Sequence, residues 1–288
     1  MVKTIKAFLL LTGLTISVFA QNRDSLTFVK TKWQKTRVAA HVRLFRHHFN
    51  EKNLFAANQN ISYVEVKNKG RRAVFAFDAE EKELVTTSDF GKRDSALLAI
   101  NGNFFDVKNG GSVDFVRVNG KVVNENRLEK EDKRAFHQQA AVMLEDGKLN
   151  IIKWDGTKDW ETKLPGQNIL LNGPLLKLNG IAEKLDTTAF NTVRHPRTCV
   201  GLKPNGRAIL LTVDGRNDNS AGMSLFELTK IMSWLGCSGI INFDGGGSTT
   251  LWVNGFPDDG VINYPTDNKK WDHNGQRKVA NVILVKKK

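Results

Sequence analysis

Cysteine is almost absent, with Cys199 and Cys237 the two in 288 residues. So few thiols exclude a disulfide framework as the source of the fold. A single bridge between them is permitted, but each sits among apolar neighbours and reads as a small buried hydrophobe. Metal-ligand spacing is missing too: the six histidines are scattered, and His47-His48 has no partner at zinc spacing. No Pro/Ser-rich linker or low-complexity tract divides the chain. The 268 residues after Ala20 exceed the usual domain size of about 100 to 150, and they read as one large domain with an N-terminal extension.

Long apolar runs are lacking as well. No stretch beyond the N-terminus approaches the roughly 20 apolar residues of a transmembrane helix. Met1 to Ala20 carries Lys3 and Lys6, an apolar run from Ala7 to Val18, and small residues at Val18 and Ala20. This is expected to be a secretory signal, with the mature chain starting at Gln21, no lipid anchor, and a periplasmic or extracellular destination. Acidic residues are in deficit, 30 against 43 basic. Lys3 and Lys6 leave with the signal and no acid does, so +13 becomes +11. That excess favours anionic partners. Nucleic acid is disfavoured, because no nucleic-acid module or aromatic-basic motif is present. Anionic sugars, phosphorylated glycans or a membrane surface fit better, and Lys286 to Lys288 read as a solvated tail.

What the chain has in quantity is short strand runs ended by turn dipeptides. Asn119-Gly120, Asp146-Gly147 and Asn179-Gly180 predict type I′ hairpins after Val113–Val118, Ala140–Glu145 and Leu175–Leu178. Further strands are expected at Ile61–Val66, Ala73–Phe77, Leu97–Ile100, Thr198–Leu202, Arg207–Val213, Gly239–Phe243, Thr250–Val253 and Val279–Val285. One helix is well signalled: Ser224 as N-cap, Glu227 completing a capping box, Gly236 as the stop, and Leu225, Leu228, Ile231, Met232 and Leu235 on one face. A second helix is expected near Lys35–Phe49 or Glu129–Gln138. The fold class is therefore α+β, a mixed but largely antiparallel sheet with hairpins and a few packed helices. Residues 21–60 form an extension that covers the domain or lids its cleft, ahead of a domain at 61–288.

The segment I-N-F-D-G-G-G-S-T-T-L-W-V, residues 241 to 253, places Asp244, three glycines and hydroxyls between two apolar runs. Gly245, Gly246 and Gly247 suit a small anion-binding concavity beside Asp244, although a tight structural turn reads equally well. Other polar corners follow strands at Asn101-Gly102-Asn103 and Asp214-Gly215-Arg216. Three strand ends could thus deliver Asn101, Asn103, Asp214, Arg216 and Asp244 to one cleft.

Several segments together resemble the phosphodiester glycosidase family. They are A-I-N-G-N-F-F (99–105), L-N-G-P-L-L (171–176), R-H-P-R-T-C-V-G-L (194–202), L-T-V-D-G-R (211–216), S-A-G-M-S-L-F-E-L (220–228), N-F-D-G-G-G-S-T-T-L-W-V (242–253), N-Y-P-T-D (263–267) and Q-R-K-V-A-N (276–281). The resemblance runs from about Phe49 to Val285. The chain departs from the family at Asn103, where a second glycine is common, and at Gln276, where an acid precedes the late arginine.

The resemblance implies a hydrolase that cleaves the anomeric C–O bond of a sugar-1-phosphodiester, N-acetylglucosamine-like, giving free sugar and a phosphomonoester. Because such a leaving group has a second pKa near 6, the site needs cations for phosphate more than a strong acid. Arg197, Arg216 and Arg277 are expected to grip phosphate, with Thr198, Ser248, Thr249 and the glycine loop as further donors. Asn101, Asn103 and Asn263 suit sugar hydroxyls or the acyl amide. Asp244 is the first candidate for the carboxylate near C1, Asp214 the second, and Glu227 a third that reads equally as the helix cap. Asp214 and Asp244 could also hold calcium or magnesium. Trp252 reads as core and Trp271 as the rim of the cleft. Two rivals stay open: a non-catalytic phosphoglycan-binding protein, and a metal-dependent phosphodiesterase cleaving P–O.

Overall fold

The computed structural model describes residues 23–69, 72–129 and 133–288. The expected signal segment lies outside the described residues. The three dipeptides sit at positive φ in both positions, +50° and +82° at Asn119-Gly120, +51° and +69° at Asp146-Gly147, and +50° and +83° at Asn179-Gly180. These turns join Val116–Val118 to Lys121–Asn124, Ala140–Glu145 to Lys148–Lys153, and Leu175–Leu178 to Ile181–Ala182. Their twist matches that of the strands they connect, so the hairpins form from local sequence alone.

The strands assemble into three main sheets. The largest has eight strands in the order Gln34–Ala39, Val42–Leu54, Ala57–Lys67, Arg207–Val213, Arg197–Lys203, Gly239–Phe243, Leu175–Leu178 and Ile181–Ala182. A four-stranded sheet runs Leu251–Val253, Leu98–Asn101, Asn281–Lys287, Ala73–Ala79, and a five-stranded one carries the hairpins at 116–124 and 140–153 with Asn168–Leu171 between them. The class is α+β as expected. The antiparallel character extends to every strand pair among the described residues.

One core fills the space between the large sheet and the other two. Val64, Val66, Val200, Leu210 and Ile241 meet Phe75, Ile100, Ile283, Val142 and Leu170 there. The helix Leu225–Trp234 covers the other face of the large sheet, with Leu225, Leu228, Ile231 and Met232 buried against Ile209, Leu211 and Ile240. Its Ser224 and Glu227 form the expected reciprocal cap, and Gly236 follows at φ +86°. Each such buried aliphatic contributes about 1.5 to 3 kcal/mol, so this helix is held by its face more than by its propensity. Cys199 and Cys237 are free thiols in the same core, and Trp252 is buried in a third cluster around the helix Thr87–Arg93.

Two expectations are corrected. Residues 35–49 are not helical: they form the first β-hairpin, turning at Ala40-His41, with Val42 and Leu44 inward and Arg43 outward. The alternation that fits a strand outweighed the helical spacing read there. Residues 129–138 contribute only the short 3-10 turn Phe136–Gln138 among the described residues. From Gln34 on, the stretch ahead of residue 61 is woven into the sheet: the strand Ala57–Lys67 crosses the 60/61 boundary and pairs with Arg207–Val213.

Candidate active site

Strand order creates one polar corner. Arg197–Lys203 lies between Arg207–Val213 and Gly239–Phe243 and runs antiparallel to both, with Arg197 opposite Val213 and Thr198 opposite Phe243. Its start therefore lies beside the ends of its two neighbours, where the chain continues into Asp214-Gly215-Arg216 and Asp244-Gly245-Gly246. The second sheet reaches the same place through Leu98–Asn101. The Asn101 Nδ2 donates to the Asp244 carbonyl at 2.8 Å, and the Asp244 N–H donates to the Gly102 carbonyl at 3.2 Å. A short-range motif cannot produce this corner; two sheets have to meet.

Asp244 is largely buried, and its Oδ1 accepts the Gly245 N–H at 2.9 Å. Burial raises its carboxyl from 3.8 to about 6, against the lowering influence of the nearby Ser248 hydroxyl, the Gly245 N–H and the Arg277 charge. The Ser248 Oγ lies close without a hydrogen bond of good geometry, and it is buried along with the equally unpartnered Thr249 and Thr250 hydroxyls. Of these three, Ser248 is the one beside the carboxylate, a spare donor for a polar ligand there.

The glycines are needed for close approach. Gly246 has φ +61°, and a Cβ on it would lie 3.1 Å from the Arg216 guanidinium; a Cβ on Gly247 would meet the Arg277 guanidinium and the Asp267 carboxylate at 2.5 Å. Two arginines thus lean on the loop. Arg277 is paired with Asp267 at 2.6 Å. Arg216 is exposed and has no hydrogen-bond or ion-pair acceptor among the described residues. The loop N–H groups are mostly committed inside the protein, Gly245 to Asp244 Oδ1, Gly246 to Pro196 O, Ser248 to Gly245 O and Thr249 to Gly246 O. An anion here would be held by guanidinium and hydroxyl groups more than by the expected concavity of N–H groups.

Two residues missed by the sequence reading complete the corner. Asp114 is wholly buried and lies within electrostatic reach of Asp244, and the His137 Nε2 is 3.1 Å from its Oδ1. Burial lowers His137, but the Asp114 carboxylate, with Glu129 and Asp244 further off, outweighs it and raises the imidazole above 6.5. Burial raises Asp114 despite the bonds from His137 and Gln138, and its Oδ2 has no partner. The Phe104 ring packs 4.8 Å from the His137 ring and 6.1 Å from Phe190. The signal that could have found Asp114 is a lone carboxylate inside the apolar run Val113-Asp114-Phe115-Val116. Nothing in the local pattern marks His137.

The remaining expected site residues face inward. Asp214 Oδ1 accepts from the Asn263 Nδ2 at 2.8 Å and the Tyr264 N–H at 2.9 Å, while its Oδ2 accepts from the Asn60 Nδ2 at 2.8 Å. Burial raises it and these donors oppose that. Its bonds order the loop at 263–264, and its partners are not those of Asp244. Both Glu227 oxygens bond the Arg194 guanidinium, and one also bonds Ser224, so its capping reading is the one the contacts fit. Asn101 also accepts from the Thr198 hydroxyl and the Thr250 N–H. Asn103 bonds Ser112, Asn281 and the Leu171 carbonyl, and Asn263 bonds Leu251 and Thr249 in addition to Asp214. Arg197 is 2% exposed and donates to the carbonyls of Phe190, Val193 and Met223. Burial, with Arg216 nearby, lowers it to about 10. Gln276 bonds Ser88 at the start of the helix 87–93. Among the described residues no group of three His, Cys, Asp or Glu side chains is placed to hold a metal ion.

Comparison with known proteins shows the family. The chain is 26% identical over 210 residues to the SPbeta prophage-derived protein YomE of Bacillus subtilis (strain 168), covering 66% of this chain and 31% of that protein. It is 26% identical over 221 residues to the N-acetylglucosamine-1-phosphodiester alpha-N-acetylglucosaminidase of Bos taurus, covering 71% and 39%. It therefore spans between about a third and two fifths of the length of these relatives. Among solved structures, the zebrafish N-acetylglucosamine-1-phosphodiester alpha-N-acetylglucosaminidase catalytic domain, auto-inhibited by its pro-peptide, shares the fold. The TM-score is 0.63 at 21% identity, with 89% of this chain and 88% of that one covered. The profile of phosphodiester glycosidases matches residues 94–286. That span contains Asp114, His137, Arg216, Asp244 and Arg277, so the corner described above lies inside the matched region, and the chain belongs to the phosphodiester glycosidase family.

Proposed function

We propose that the protein is an exported hydrolase that cleaves the anomeric C–O bond of a sugar-1-phosphodiester, N-acetylglucosamine-like, releasing free sugar and a phosphomonoester. The observation that carries this reading is Asp244, a buried carboxylate raised to about 6 beside a glycine turn on which two guanidinium groups rest. Above that pH it is ionised and stabilises positive charge developing at C1, either by attacking it or by activating water. The C1–O bonding electrons leave with the phosphate, whose charge Arg216 and Arg277 meet. The Asp114–His137 pair keeps a proton to higher pH than a free imidazole would, which suits a donor to the leaving oxygen or to the phosphate. The bovine relative's name describes the same class of bond.

The reading is tested by incubating the purified protein with UDP-N-acetylglucosamine in oxygen-18 water, with and without chelator, and weighing the products. Label in free N-acetylglucosamine supports C–O cleavage. Label in phosphate, with sugar-1-phosphate as product, would replace it by the P–O-cleaving phosphodiesterase. Binding without turnover would favour the phosphoglycan-binding protein, and loss of activity with chelator would add a divalent cation, calcium or magnesium, to the reading.

A further inference from the structure

A cleft of about 320 Å³ opens on the flank of the large sheet. The loop at 263–277 divides it from the glycine turn: one side of this loop brings Asp267 and Arg277 to Gly247, and the other brings Tyr264 and His273 to the cleft. Opposite stand Arg46 and His48 from the N-terminal hairpin and Lys32 just ahead of it. Among the described residues no carboxylate lines it. Two acids stand near it: Asp258, 3.7 Å from the His273 Nε2 and mostly exposed, and Asp214, buried behind the lining with its carboxylate held by the Asn60 Nδ2 and the Tyr264 N–H. The Arg46 Nε is buried without a partner, and the ammonium of Lys32 has no acceptor among the described residues. Tyr264 and Trp271 stack at 4.1 Å with planes 2° apart, and His48 lies 6.2 Å from Trp271. Uncompensated cations beside a flat aromatic pair match a ring that bears an anion.

We propose that this cleft binds an anionic sugar unit, bearing phosphate or carboxylate. It deepens the proposed function, on which it rests only for the role of the unit as a further residue of the same acidic glycan. The connection to the catalytic corner is material: Asn60 lines the cleft and bonds Asp214, while the His48 Nε2 contacts the Asn219 carbonyl on the loop that carries Arg216.

The test is calorimetric titration of the protein with glucose 6-phosphate, glucuronate, inorganic phosphate and glucose, which needs no turnover and so does not depend on whether the chain is catalytic. Glucose 6-phosphate or glucuronate should bind the wild type and Arg216→Gln alike, and should bind Lys32→Gln/Arg46→Gln on the order of tenfold more weakly. Which of the two binds tells phosphate from carboxylate. Lys32→Gln alone, at an exposed position, should weaken binding several-fold with the fold intact. Binding lost in Arg216→Gln but kept in the double variant would place the ligand at the catalytic corner and overturn the proposal. So would inorganic phosphate binding as tightly as the sugar phosphate, glucose binding as well as either acid, or no binding at all.

Discussion

Replacing Asp244 by Asn should remove activity and make the protein more stable at neutral pH. Burial holds this carboxyl at about 6 instead of 3.8, which corresponds to about 3 kcal/mol of differential interaction between its two protonation states. The folded chain keeps the proton up to about pH 6, whereas the unfolded chain releases it near 4. Between those values folding takes up a proton, so this group's contribution to stability falls as pH rises; above 6 the whole cost of the buried charge is present. Asn cannot ionise, and its oxygen can still accept the Gly245 N–H. Because part of the Asp244 residue meets solvent, the gain for Asp244→Asn is set at about 2 kcal/mol at pH 7.5, or about 4 °C in Tm for a chain of this size, and near zero at pH 4. Thermal unfolding of both proteins at the two pH values measures this, and other titrating groups cancel in the difference. The activity should fall on the order of a thousandfold or more. A variant no more stable at pH 7.5 than at pH 4, relative to wild type, would refute the strained-carboxylate argument, and retained turnover would remove Asp244 from the chemistry.

Arg216→Gln removes an exposed guanidinium without a partner among the described residues, so Tm should hold while KM rises about tenfold to a hundredfold; steady-state kinetics beside a melt separates the two. Glu227→Gln removes the charge paired with Arg194 while its amide oxygen can still accept the Ser224 N–H, costing about 1 kcal/mol in a denaturant titration, yet kcat per folded molecule should change little. A large kcat loss there would return Glu227 to the catalytic set. Gly247→Ala places a methyl against Arg277 and Asp267, and should lower kcat/KM about tenfold with little change in Tm, because the displaced groups are side-chain ends.

Local signals determined much of the protein. The three Asn-Gly and Asp-Gly turns, the capped helix at 224–236, and strands such as Arg207–Val213 and Gly239–Phe243 follow from dihedral preference and periodicity, which act over a few residues. Local reading also singled out Asp244, its glycines and Arg216, because carboxylates, guanidinium groups and glycine at strand ends leave a local mark, whereas Arg277 entered only through the family resemblance. It failed where contacts are distant. Lys35–Phe49 became a hairpin because Val42 and Leu44 bury against the strand Ala57–Lys67 and the core beneath it.

Tertiary structure alone decided which polar residues meet at the candidate site. Asp214, Asn101, Asn103 and Asn263 have the composition of a site, yet each is turned into the fold, where its hydrogen bonds compensate its burial. Asp114 carries only the mark of a lone carboxylate in an apolar run and His137 carries none; both reach the candidate site because the fold brings them near Asp244, 130 residues from Asp114 and 107 from His137. Sequence determines which elements form, since backbone and side-chain preferences are local. The site depends on how sheets close on one another, since the charges that set it come from segments that meet only in the folded chain.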